Sequence, residues 1–536
     1  MRTYKHTYIS QLGKFELFGY QKRICHAALI LLPALCSVMN AAPKKLPPQA
    51  RAPVSIAEDV SLPAGAAVRF ETDTYEQLRG RKRVQLTGFP LTKWEAVDLE
   101  LEQFEVTTPE TVIVVSSAEG DKAVPHPEVA LFRGCIRGVD DSEAVIGISP
   151  YGNNGYIRKG RLLYYLSPDR KAGQGGRTDL HSIAEQLEIT GGSGPEEFRC
   201  FAKPHPDFVS ADEIFDCMWE TGPFPSSYSW RVAFVAIDCD YAYYQHFGSD
   251  VGAALAYVLQ LAGTSSHFFE RDMNIKWYLP YIRIWTSPDP YLSGDVFNVF
   301  AYYWQLNMDH VERDLALLFS CRPARWGLSI CPSLCDYDWG FTVNLGLQGW
   351  FPRPVQDLHA DNWDLHVVPH EAGHTFGSHH THCYKPAIDN CALEDADAEN
   401  DWCQGRTDFN DCVPGTLMSY CGGDNCGGYA NELMSFHPRV VNCIREYVDI
   451  SDCIRSGMHP VYSDWTNAGF EDGTIGNPFN TVAESVQVVI PNGTVYIDAG
   501  SYPETEAISA NPQGATFNRP VTLRTTGGLV TIGGGG

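Results

Sequence analysis

Apolar and polar positions follow different periods along this 536-residue chain, and the changes of period mark its regions. From about residue 60 to 170, short apolar runs such as ETVIVVSS, EVALFRGCIRG, EAVIGISP and RLLYYLSP alternate with turn residues, which predicts a series of β-strands. The glycine-rich pieces KAGQGGR and TGGSGPEE then predict an exposed connection. SWRVAFVAIDCD reads as a buried strand. Asp250 to Glu270 carries apolar residues at helical spacing, IKWYLPYIRIW reads as a second strand and RDLALLFS as a third. Strands alternating with helices predict an α/β domain. After about Asn467 the runs become short again, between Gly, Asn and Pro turns. They fit the first coils of a parallel β-helix, with too few rungs for a stable solenoid, so the chain reads as a piece of a longer protein.

At the N-terminus, Lys22 and Arg23 precede an apolar run from Ile24 to Met39, and Ala41 and Ala42 follow. This is the pattern of a secretory signal peptide over residues 1–42. The run is shorter than the roughly 20 residues a spanning helix needs, and His26 and Pro33 break it. An uncleaved N-terminal anchor is the alternative. A Pro-rich linker, APKKLPPQARAP, comes next.

With 44% hydrophobic and 20% charged residues, the chain supports large folded cores. A net charge of −25 argues against a general nucleic-acid binder, which needs a basic face. Of the 17 cysteines, eight lie between Cys383 and Cys453 without a CxxC pair, which predicts disulfides in an oxidising, extracellular setting. Loss of residues 1–42 leaves 15, an odd number, so at least one thiol is unpaired within the chain or pairs between chains.

The chemistry is concentrated at His370-Glu371-Ala372-Gly373-His374-Thr375-Phe376-Gly377-Ser378-His379-His380. Positions i and i+4 share a helix face, so His370 and His374 can address one ion. Glu371 stands beside them, free to act as general base on a metal-bound water. Gly377 lets the chain leave helical geometry, and the turn returns His380 as third ligand. His379 and His382 flank His380 and are rival ligands in a different turn geometry.

The motif HExxHxxGxxH resembles that of the metzincin zinc endopeptidases, and the chain resembles their reprolysin/adamalysin branch over residues 100–450. The resemblance implies one catalytic Zn²⁺ on His370, His374 and His380, with Glu371 as base. It makes Met418, in TLMSYC, the methionine turn beneath the metal, and Tyr420 a candidate to stabilise the oxyanion. Thr381 departs from the Asp that many adamalysins carry after the third histidine. A structural Ca²⁺ is compatible with the family, although the sequence has no EF-hand loop. RDLALLFS followed by GLSICPSLC resembles the edge strand that binds substrate and the segment leading to the active-site helix. LFRGCIRGVDDSEAVIGISP resembles the propeptide, and GTVYIDAGSYPE the opening of a pectate-lyase-like β-helix. Some propeptides of this class lend the zinc a cysteine; Cys200 and Cys217 are the candidates, or they form a plain disulfide with each other.

The fold class expected is therefore an α/β (α+β) zincin-type metalloprotease domain with a mixed sheet and an active-site helix. Residues 1–42 are a signal peptide, 43–225 a mostly β propeptide, 226–455 the metalloprotease domain and 456–536 the start of a β-helix. The expected function is that of a secreted zinc endopeptidase made as a zymogen. Its partners would be protein or peptide substrates, without nucleic acid or a membrane span after signal removal. Matrix or surface-glycan contact would fall to the C-terminal region. The alternative is a catalytically degenerate zincin acting as an extracellular adhesion or binding protein.

Overall fold

The computed structural model describes residues 49–533, apart from 63–64, 171, 186–198, 201, 207–215, 292–293, 325, 352–361, 390, 392–413, 422–432 and 503–519. The expected signal peptide and Cys403, Cys412 and Cys426 lie outside the described residues.

Residues 49–185 build a ten-stranded sheet, antiparallel except where Gln49–Arg51 runs parallel to Arg83–Pro90. Its strand Ser142–Ile148 is buried at every position. The two-residue period sends Ala144, Ile146 and Ile148 into the sheet's own core and Val145 into the core it shares with the rest of the chain. The chain leaves this sheet once, to place the hairpin Val112–Ser117 and Gly120–Ala123 elsewhere.

The second sheet holds the predicted strands. Arg231–Cys239 is central, with Leu315–Phe319 on one side and Tyr281–Trp285 on the other, all parallel. The hairpin strand Val112–Ser117 extends the Tyr281 side. Beyond Leu315–Phe319 lie Phe341–Asn344 and then Trp326–Cys331, which runs antiparallel. The expected helix is Val251–Met273, with Asp250 capping it by accepting from the Ala253 N–H and Asn274 ending it in a left-handed turn.

Two strand expectations need correction. IKWYLPYIRIW is two strands, Ile275–Tyr278 and Tyr281–Trp285, because Pro280 has no N–H for a continuous ladder. Both pair with the central strand, and the break is used elsewhere, since the Leu279 N–H donates to Val106 O and Pro280 O accepts from Val112 N–H. Leu315–Phe319 is an interior strand, not the edge. All five residues, LALLF, are buried, as a strand covered on both faces requires. The edge on the active-site side is Trp326–Cys331, which retains a serine in its run.

At the C-terminus, Val461–Ser463, Thr494–Tyr502 and Thr522–Ile532 form a three-stranded parallel sheet. Among the described residues, disulfides join Cys217 to Cys443, Cys335 to Cys453 and Cys391 to Cys421. They are compatible with an extracellular protein. No helix among the described residues is long and apolar enough to cross a membrane.

Candidate active site

The helix Trp363–Thr375 is buried along its whole length between the edge strand and the long helix. It ends where the sequence predicts. Gly377 has φ 102°, a region glycine enters without a Cβ clash, and its N–H donates to His374 O while Ser378 N–H donates to Gly373 O. The chain then doubles back and brings His380 to the helix. His374 Nε2 lies 3.1 Å from His370 Nε2 and 3.1 Å from His380 Nε2.

The ring tautomers follow from the partners of the other nitrogens. His370 Nδ1 is 2.6 Å from Leu417 O and His374 Nδ1 is 2.7 Å from Ser378 O. A carbonyl oxygen only accepts, so each Nδ1 carries the proton and each Nε2 presents a lone pair to its neighbour. Burial holds His374 down at about 4 and pushes His370 and His380 well below the usual imidazole range, so all three are neutral. Neutral lone pairs converging at 3.1 Å repel unless a cation lies between them. Two nitrogens bound tetrahedrally at about 2.0–2.1 Å from zinc stand roughly 3.4 Å apart, so the donor set suits that ion.

A fourth donor completes the cluster. Cys200 Sγ is 3.3 Å from His374 Nε2, and the ligand atoms of Cys200, His370, His374 and His380 lie within 4.8 Å of one another. Of the two candidate cysteines, Cys217 is bonded to Cys443, whereas Cys200 is a free, buried thiol. Burial and the Glu371 carboxylate push this thiol up; a bound cation acts in the opposite sense, because thiolate is the ligand form. Cys200 sits in a segment laid along the edge strand. Arg199 and Cys200 pair parallel with Trp326 and Gly327, and Lys203 and Pro204 with Ile330 and Cys331. His205 extends this by donating its N–H to Cys331 O and setting Nε2 3.0 Å from Asp336 Oδ2.

Glu371 faces the same edge strand. Ser329 Oγ donates to its Oε2 at 2.7 Å. Burial raises the carboxyl to about 7, with the hydrogen bonds from Ser329 and Cys200 working against the rise. Gly327 leaves room for it: a Cβ there would stand 2.0 Å from Glu371 Oε1. Met418 is buried under the helix, and a Cβ on Gly373 would meet its Sδ at 2.5 Å, so helix and methionine touch through the glycine. Thr381 donates both N–H and Oγ1–H to Met418 O, at 3.0 and 3.2 Å. The Tyr420 ring lies 4.3 Å from that of His380, and its hydroxyl donates to Cys200 O at 3.4 Å.

The structure thus gathers His370, His374, His380, Glu371, Met418, Tyr420 and Cys200 at one place. His379 faces Cys331, with Nε2 3.8 Å from Sγ, and His382 stacks on His380 and Tyr420 and groups with His380 and Cys383; neither joins the four-donor cluster. Sequence reasoning missed Ser329, Gly327 and the link from Thr381 to Met418. Ser329 left one trace, a hydroxyl in an otherwise apolar strand.

Residues 229–431, which hold the histidine cluster and most of the second sheet, match the reprolysin model of metallo-peptidase family M12. The match supports a metallopeptidase, of a family that uses zinc, acting on protein or peptide substrates. No curated protein matches the chain.

Proposed function

We propose that this chain is a secreted zinc endopeptidase held latent by its own residues 199–205. The observation that carries the reading is the convergence of three neutral histidine Nε2 atoms beside Glu371, on a helix that the family match includes. His370, His374 and His380 would hold the zinc, and Cys200 would be a fourth, removable ligand. Zinc held there would lower the pKa of a bound water and polarise the scissile carbonyl. Glu371, raised to about 7, suits a base that takes a proton from water at neutral pH and returns it to the leaving amine. Ser329 fixes the carboxylate by one oxygen. The Tyr420 hydroxyl, beside His380, would donate to the developing oxyanion. The edge strand Trp326–Cys331 would hold substrate backbone by strand addition once residues 199–204 leave it.

The C-terminal parallel sheet supports the reading of residues 456–536 as the opening of a β-helix. The test of the whole proposal is cleavage of a denatured protein by the activated chain beside Glu371→Ala, with zinc measured in both. The expected result is one zinc per chain in both and cleavage only by the unaltered chain, abolished by chelation. Zinc without cleavage in either activated form would put the binding-protein reading ahead.

A further inference from the structure

The proposed latency concerns a short segment, whereas a far larger N-terminal region packs on the same catalytic half. We infer that residues 49–185 are a permanent subunit of the working enzyme, retained by non-covalent contacts after any activating cut between this region and the catalytic half. The inference rests on the zymogen reading and adds to it which part would stay.

The long helix Val251–Met273 carries the argument. Nineteen of its 23 residues are buried, so it is covered on both faces. The second sheet covers one face. The ten-stranded sheet covers the other, with Phe104, Leu131 and Tyr156 in one core with Leu261 and Phe268. The approach is close: a Cβ on Gly263 would meet Leu131 Cδ1 at 2.5 Å, and one on Gly147 would meet Gln260 Cγ at 2.4 Å. Buried polar groups match across the same boundary. Arg133 pairs with Glu270 at 2.6 Å and Glu143 with Arg271 at 2.9 Å. Shedding the sheet would uncover Phe268 from Tyr156 and break the buried Glu270–Arg133 and Arg271–Glu143 pairs on one helix face, which is costly.

Two further ties are independent of the helix. The strand Val112–Ser117 is a member of the catalytic sheet, in register with Tyr281–Trp285 from Val112 to Ser116. The C-terminal region also grips the N-terminal one: Lys82 lies 2.6 Å from Asp464, Arg524 2.7 Å from Glu110, and Asn477 donates to the buried Glu102. The N-terminal region is thereby held from both sides.

The test places a recognition sequence for a sequence-specific endoprotease within residues 186–198 of the full chain. Glu371→Ala prevents self-digestion. Cys135, which is disulfide-bonded, is replaced by alanine so that only non-covalent contacts are read. After complete cutting, the two fragments should co-elute at the uncut size and separate only in denaturant. Elution of the N-terminal fragment on its own would overturn the inference. Should Cys135→Ala fail to fold, hydrogen exchange on the cut chain with Cys135 intact decides instead. Amides of 112–116 should stay as protected as in the uncut protein, and loss of that protection overturns the inference. Fragments that part while the activated chain still digests protein would refute the retained subunit alone. Fragments that stay together, with no digestion by the activated chain that keeps Glu371, would refute the protease reading alone.

Discussion

The two edges of the second sheet are closed by different stretches of the chain that precedes Arg231–Cys239, in contrasting ways. On the Tyr281–Trp285 side, Val112–Ser117 pairs over five positions, turns back as a hairpin and buries Ile113 in the main core. On the Trp326–Cys331 side, residues 199–204 pair in two short pieces of two positions each. Lys203 there is exposed, and the buried contacts are few: Cys200 at the histidine cluster with Ala202 partly buried beside it, and His205 on Cys331 and Asp336. Backbone pairing is common to both, so apolar burial separates a permanent strand from a removable one. A segment held by a few backbone pairs and one thiol beside the histidines can leave without unfolding the core. A strand whose side chains fill the core cannot.

The largest expected effect tests what the weak edge protects. Glu371→Ala should lower protein cleavage by the activated enzyme by roughly 10²–10⁴-fold without loss of bound zinc, read by turnover and metal content. At the strong edge, Ile113→Ala should cost about 2–5 kcal/mol by urea unfolding, because it opens a cavity in a shared core. A cost below about 0.5 kcal/mol would show that the hairpin is an appendage. Cys200→Ser should then give the uncut chain an activity about tenfold or more above the wild-type uncut chain, since the cleft is released more often. Unchanged latency in that variant would mean that the backbone pairing, not the thiol, closes the cleft.

A pH effect sharpens the strong side. Burial would raise the Glu143 carboxyl, but Arg271 and His267 outweigh it and hold it well below the usual range. A depressed carboxylate stabilises the fold above its unfolded value, near 4.3, and the contribution fades as pH falls below that. Between pH 5 and 3 the wild type should lose about 1–2 kcal/mol that Glu143→Gln does not lose. Glu102, raised chiefly by burial, works in the opposite sense, so the comparison must be made between variants rather than from one curve. The smallest effect belongs to the weak edge: Lys203→Ala should stay within about 0.5 kcal/mol in unfolding.

The sequence by itself determined the elements with strong local signals. The long helix, the central strand, the turn at Gly377 and the spacing of His370, His374 and His380 depend on periodicity, on glycine's freedom at positive φ and on i, i+4 geometry, all of which are local. Strand order depends on which apolar faces meet across the chain. For that reason Leu315–Phe319 passed for an edge, although its all-apolar run already suited an interior strand, and IKWYLPYIRIW passed for one strand although Pro280 divides it. The partner of Glu371 lies 42 residues away, at Ser329, and the thiol beside His374 lies 174 residues away, at Cys200. No local spacing encodes such pairings. Choosing Cys200 over Cys217 required the tertiary fold, because only there does one cysteine meet Cys443 and the other a ring of histidine lone pairs.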